Sequence, residues 1–193
     1  MSKFLTEQQI KDAAKNANIE YAALKAVIEI EARSSGFFSN GEPAILFERH
    51  VFWRQLGAIR WFTKRLQIMA LHPRICNKYS GGYGLFSEQH DKLRIAASYN
   101  RDAALQSASW GIGQVMAYHW KALGYPSLQQ FINDMYHSEA KQLEAMIRYI
   151  KVNNLVDELQ RHDWAGFARG YNGAGYKRNN YDEKLRQAYN KYK

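Results

Sequence analysis

Apolar residues in this sequence recur at helical spacing, and one place in that pattern is held by an acid. In "SEAKQLEAMIRYIKVNN", Leu143, Met146, Ile147 and Ile150 fall at i, i+3, i+4 and i+7, which makes one apolar helix face. In "NIEYAALKAVIEIEARSSG", Leu24, Val27 and Ile28 begin the same pattern, and Glu31 occupies the i+7 place. Such a period builds helices, so the chain is confined to a mainly helical fold in which a carboxyl at a helix end is directed at the interior. Glu29 falls on the opposite side, near Lys25 and Arg33, and reads as a solvated surface charge.

The remaining segments extend this reading. "LTEQQIKDAAKNA" opens with Thr6 and has Gln9 three residues later, a capping-box spacing. Asn18 is a candidate N-cap for the second helix, with Gly36 just past its end. "EPAILFERHVF" suits a short strand running into a helix. Residues 57–86 give no clear period and end in the loop "YSGGYG". Helical stretches are expected near 87–98, 101–108 and 113–123. "SLQQFINDM" repeats the capping-box spacing at Ser127 and Gln130, and "DWAGFARGYNGAGY" reads as a short helix entering a glycine-rich turn. In the tail, Leu185, Ala188, Tyr189 and Tyr192 form a helical stripe. With 193 residues and only three prolines, the chain suits one domain with a sizeable core. The fold class expected is mainly α (α+β), helices around a cleft, with at most a small sheet around 43–48 and 79–86.

Charge narrows the function. The net charge of +9 draws such a chain to polyanions: nucleic acid, anionic lipid or an acidic cell envelope. From Arg49 to Ser87 there is no Asp or Glu but there are seven Lys or Arg, interleaved with Phe52, Trp53, Trp61, Phe62, Tyr79, Tyr83 and Phe86. That stretch is either a solvated basic face over core aromatics or a surface that holds a long anionic polymer. The tail from Lys177 to Lys193 carries six basic and two acidic residues; its stripe either packs on the core or inserts into an anionic membrane surface. The start has no apolar signal-peptide core, and no apolar run is long enough to span a membrane. The single cysteine, Cys76, fits synthesis in a reducing cytoplasm. Histidines at 50, 72, 90, 119, 137 and 162 form no zinc-binding motif, and no phosphate loop or nucleophile elbow occurs around Ser109, so no metal or cofactor is implied. A basic nucleic-acid-binding protein is the competing class.

At Glu31, partial burial and the negative end of a helix dipole both favour the protonated acid. A carboxyl kept neutral near neutral pH suits general acid catalysis. The alternative is a structural carboxylate that pairs with a buried arginine or caps a loop amide.

Two further segments bring a resemblance. Glu31 in "EARSSGF", Gly111 and Gln114 in "SASWGIGQVM", and Tyr171, Asn172 and Gly173 in "FARGYNGAGY" resemble, in order and spacing, the constellation of the lysozyme-like superfamily, which includes goose-type lysozymes and lytic transglycosylases. "ILFERH", "GGYG", "ALQSASWGIGQVM" and "DWAGFARGYNG" are more similar to the phage endolysin N-acetylmuramidase family, over about Tyr21 to Tyr189. The resemblance implies peptidoglycan as partner, Glu31 as general acid, and a sugar cleft lined by Gln114, Tyr171 and Asn172 together with Gly113 and Ser109. Tyr171 would orient the carboxyl and Asn172 would hold an N-acetyl group. Glu48 in "ILFERH" is the candidate second carboxylate, either base or nucleophile, or else part of a network with Arg49 or His50. Ala32 stands where transglycosylases carry Ser, and Gly113 where they often carry Met, which favours hydrolysis over anhydro-sugar formation. The further expectations are a monomer, a bare catalytic domain over 1–193 without a wall-binding module, accumulation in the host cytoplasm, and action on the periplasmic wall.

Overall fold

The computed structural model describes residues 3–32 and 35–193. Thr6 and Gln9 exchange hydrogen bonds as the capping spacing predicts, and helix α1 (Glu7–Ala17) starts there. Asn18 does not cap the second helix. Its φ of 56° is left-handed, a geometry asparagine tolerates, and its N–H returns to Ala14 and Lys15, so it ends α1 instead. Helix α2 (Tyr21–Glu31) follows Glu20 and buries Leu24, Val27 and Glu31 on one face. The expected neighbourhood of Arg33, and Ser34 in the Glu31 motif, lie outside the described residues.

The strand expected after Pro43 is β1 (Ile45–Phe47), and it runs into α3 (Arg49–Ala58). The unreadable stretch contains helix α4 (Phe62–Leu71), in which only Ile68 is buried, so no apolar period marked it. Helices α5 (Gln89–Tyr99) and α6 (Arg101–Gln106) lead to β2 (Ala108–Trp110) and β3 (Val115–Met116). The three strands form one antiparallel sheet in the order β1-β2-β3, with Leu46 opposite Ser109 and Ser109 opposite Met116.

Two expectations fail here. Residues 79–86 form no strand: Gly81, Gly82 and Gly84 all have positive φ, and the loop's carbonyls accept from Arg49 and Lys92 side chains instead of from a strand. Residues 113–123 form no α-helix, because Gln114 turns the chain with a φ of 47° and residues 115–116 pair with β2. Only a short 3-10 turn, Ala117–His119, follows.

Helix α7 (Leu128–His137) is capped by Ser127 and α8 (Glu139–Val152) by Ser138. After α9 (Val156–Gln160), Asp163 caps α10 (Trp164–Asn172), and α11 (Tyr181–Tyr192) closes the chain. Helix α11 packs along α2, burying Leu185 and Ala188, so the tail stripe is core packing. Glu29 is not a free surface charge: it accepts from Lys191 at 2.8 Å and from the Tyr192 hydroxyl, and those bonds hold its carboxyl below the usual range. Among the described residues no helix is long and apolar enough to cross a membrane.

Candidate active site

Glu31 is the last residue of α2 and is 8% exposed. Asn172, the last residue of α10, donates from Nδ2 to Glu31 Oε1 at 2.8 Å. Two helix ends, 141 residues apart in sequence, thus meet at one carboxyl. The other amide atom, Asn172 Oδ1, is buried and has no hydrogen-bond partner among the described residues.

Tyr171 was expected to orient this carboxyl, but its hydroxyl donates to the Gly113 carbonyl at 2.6 Å. Burial first, and then the Glu31 charge, push its pKa well up, so it stays a neutral donor. The amide meets the acid, and the phenol braces the strand turn.

Gln114 sits in the β2–β3 turn and not at a helix start. Its Oε1 accepts from the Ser109 hydroxyl at 2.9 Å, and its Nε2 donates to the Gly111 carbonyl at 2.9 Å. A non-glycine residue at positive φ is held there by this closed set of bonds. Gly113 permits a close approach: a Cβ there would come within 2.7 Å of Met146 Cβ.

Two cavities share Gln114. One, about 70 Å³, is lined by Glu31, Phe37, Phe38, Ala44, Phe86 and Gly111. The other, about 280 Å³, is lined by Gly113, Met116, His119, Tyr149, Tyr171 and Asn172. Glu31 lines the first and Asn172 the second, so the pair lies where the two hollows meet.

Glu48 lies elsewhere on the sheet. Its N–H bonds the Ser107 carbonyl and its backbone is extended, so the strand's alternation continues through it. Ala44, Leu46 and Glu48 then share one face, and Ala44 lines the Glu31 cavity. At about 3.3 Å per residue, the Glu48 backbone is roughly 13 Å along the strand from Ala44. Burial raises its pKa, opposed by a hydrogen bond from Tyr83 and by Arg54. His50 Nδ1 comes within 3.1 Å of Glu48 Oε2 without hydrogen-bond alignment. Burial, Arg54 and Arg49 all depress the His50 pKa, so this contact is one between a carboxyl and a neutral ring and not an ion pair.

Sequence reading missed the residues of α8 that hold both arms of the site. Gln142 Oε1 accepts from Ile112 N–H at 3.0 Å, and its Nε2 donates to the carbonyls of Gly36 and Met135. Glu139 accepts from Gly36 N–H at 2.8 Å and from the Ser35 hydroxyl at 3.0 Å. Glu139, Gln142 and Met146 fall at i, i+3 and i+7, the same signal that singled out Glu31. Their face anchors the segment after Glu31 and the turn before Gln114.

This geometry has counterparts. The crystal structure of the Burkholderia AP3 phage endolysin is similar to the chain at 37% identity, with a TM-score of 0.89, over 100% of this chain and 73% of that one. No curated protein matches it. A family model described as N-acetylmuramidase matches residues 20–193, a span that holds Glu31, Gln114, Asn172 and the α8 face between them. The chain belongs to the N-acetylmuramidase family.

Proposed function

We propose that this enzyme is an endolysin-type muramidase that hydrolyses the N-acetylmuramic acid–N-acetylglucosamine β-1,4 bond of peptidoglycan, with Glu31 as general acid. The observation that carries this reading is the buried Glu31 carboxyl, gripped by Asn172 at 2.8 Å between two cavities. A carboxyl held at that junction is placed to pass a proton to the glycosidic oxygen. As the C1–O bond breaks, that proton moves to the departing oxygen and positive charge builds on the muramic acid C1. A water molecule then bonds to C1 and gives up its proton.

Glu48 is the group we assign to receive that proton. The assignment rests on the strand face that it shares with Ala44 and Leu46, of which Ala44 lines the Glu31 cavity. Asn172 Oδ1, buried without a partner among the described residues, suits the N–H of an N-acetyl group. Tyr171, kept neutral, and the Ser109–Gln114–Gly111 chain hold the cleft wall. In the role of endolysin, the protein accumulates in the cytoplasm of an infected bacterium and meets the wall on release.

Mass spectrometry of purified walls after digestion tests the reaction. Hydrolysis yields muramic acid ends that borohydride reduces. If the products are mainly 1,6-anhydro sugars, lighter by one water, the sugar's own 6-hydroxyl has attacked C1, and Glu48 is not the base for water.

A further inference from the structure

Helix α4 differs from every neighbour in what it leaves outside. Of its ten residues only Ile68 is buried, while Phe62 is 55%, Leu66 53% and Leu71 69% exposed. Phe62 and Leu66 are one turn apart and project on one strip, which Ala70 continues. Ile59, at the corner just before the helix, is 44% exposed. Leu71 leads into a shallow hollow lined with Lys64, Gln67 and Tyr99. A soluble protein scatters such residues singly and does not gather them on one helix and its corner.

The charges nearest the Phe62–Leu66 strip in sequence all have one sign, and Glu88 and Asp91 stand beside Leu71 at the far end of the helix. Arg54, Arg60 and Lys64 are exposed, and no acidic residue occurs from Arg49 to Ser87. Arg65 lies over the rings of Trp53 at 4.3 Å and Phe62 at 5.1 Å, so a cation and two aromatics sit together at the base of the strip. A strip with aliphatic and aromatic tips at Ile59, Phe62 and Leu66, flanked by the cations Arg54, Arg60 and Lys64, matches the boundary of an anionic bilayer: the tips enter the acyl region and the cations remain with lipid phosphates. Nucleic acid would satisfy the cations, but its stacked bases offer nothing to Ile59 and Leu66.

We infer that α4 and the corner at Ile59–Trp61 form a docking surface for anionic lipid bilayers, separate from the glycan cleft. This role falls to α4 and not to the C-terminal helix, whose stripe is spent on α2. The inference does not depend on the glycosidase assignment, because vesicles contain no glycan.

The test is sedimentation of the whole protein with vesicles of phosphatidylglycerol and phosphatidylethanolamine, against vesicles of phosphatidylcholine alone. The wild type is expected to sediment with the anionic vesicles at low salt. Phe62→Ser with Leu66→Ser is expected to lower partitioning at least about 10-fold, since both anchors lose their apolar contact. Arg60→Glu with Lys64→Glu should weaken binding comparably while keeping the apolar strip. Phe62→Ser with Leu66→Ser changes exposed, uncharged side chains outside the cleft and should digest purified walls at the parental rate. A wild type that stays in the supernatant overturns the inference, as does binding that both double variants retain. If light scattering shows a dimer that Phe62→Ser with Leu66→Ser separates, the face is a self-association surface and the bilayer assignment is wrong.

Discussion

Glu31 and Glu48 both stand where one element gives way to another, and their surroundings differ. Glu31 closes α2 under the Asn172 amide. Glu31→Gln retains the size of the side chain and an oxygen for that bond, so we expect the melting temperature to hold while wall lysis falls at least about 100-fold, the loss typical of a missing general acid. Lysis at the parental rate would remove Glu31 from the chemistry. At Glu48, burial raises the pKa, so ionisation costs the fold free energy. That cost is absent at low pH, where the carboxyl is protonated both folded and unfolded, and it appears as the pH rises through the folded-state value. Glu48→Gln copies the protonated form. It should therefore melt above the parent at neutral pH, with the gap closing as the pH falls below the glutamate range, and as the base it should lose at least about 100-fold in lysis. A variant that melts lower at neutral pH, with activity tracking its stability, would make Glu48 a structural residue.

Among the elements, α8 acts on the site without lining the Glu31 cavity. Gln142 bonds Gly36 on one side and Ile112 on the other, so a single side chain fixes the distance between the α2 exit and the β2–β3 turn. Gln142→Leu leaves the buried Ile112 N–H without its acceptor, a loss of about 1–3 kcal/mol. We expect a lower melting temperature and, at a temperature where the variant is fully folded, a kcat that falls more than KM changes, because substrate contacts remain while Glu31 and Gln114 drift. Unchanged kcat in the folded variant would make Gln142 a packing residue only. The α2–α11 pair gives a milder case. Lys191 and Tyr192 bind a partly exposed Glu29, so Glu29→Gln should cost at most about 1 kcal/mol by thermal melting and leave lysis near the parental rate.

For the whole molecule the relevant quantity is the net charge of +9. Peptidoglycan presents carboxylates from its muramic acids and stem peptides, so encounter is steered by attraction. Raising the ionic strength from about 0.01 to 0.15 M shortens the screening length from about 30 to 8 Å. The initial rate on purified walls should fall at least about 3-fold over that range, while hydrolysis of a short uncharged chitooligosaccharide should change little. Equal salt responses for both would place the rate limit after encounter.

What the sequence determined by itself is what local chemistry controls: the capped starts at Thr6 and Ser127, the apolar period of α8, and the turn of Glu31 toward the interior. Helical spacing fixes which side a residue occupies before anything packs on it. The tertiary structure decided everything that needs a distant partner. Gln114 lies in a hairpin because β2 pairs with β3 on one edge and on the other with β1, more than sixty residues earlier, and that pairing outweighs the local helical pattern. Asn172 and not Tyr171 reaches the acid because the end of α10 meets the end of α2 at that angle, and Glu29 is tied down because α11 returns across α2. Period and capping are written in neighbouring residues, but the meeting of helix ends is set by how the core fills, and no window along the chain contains that information.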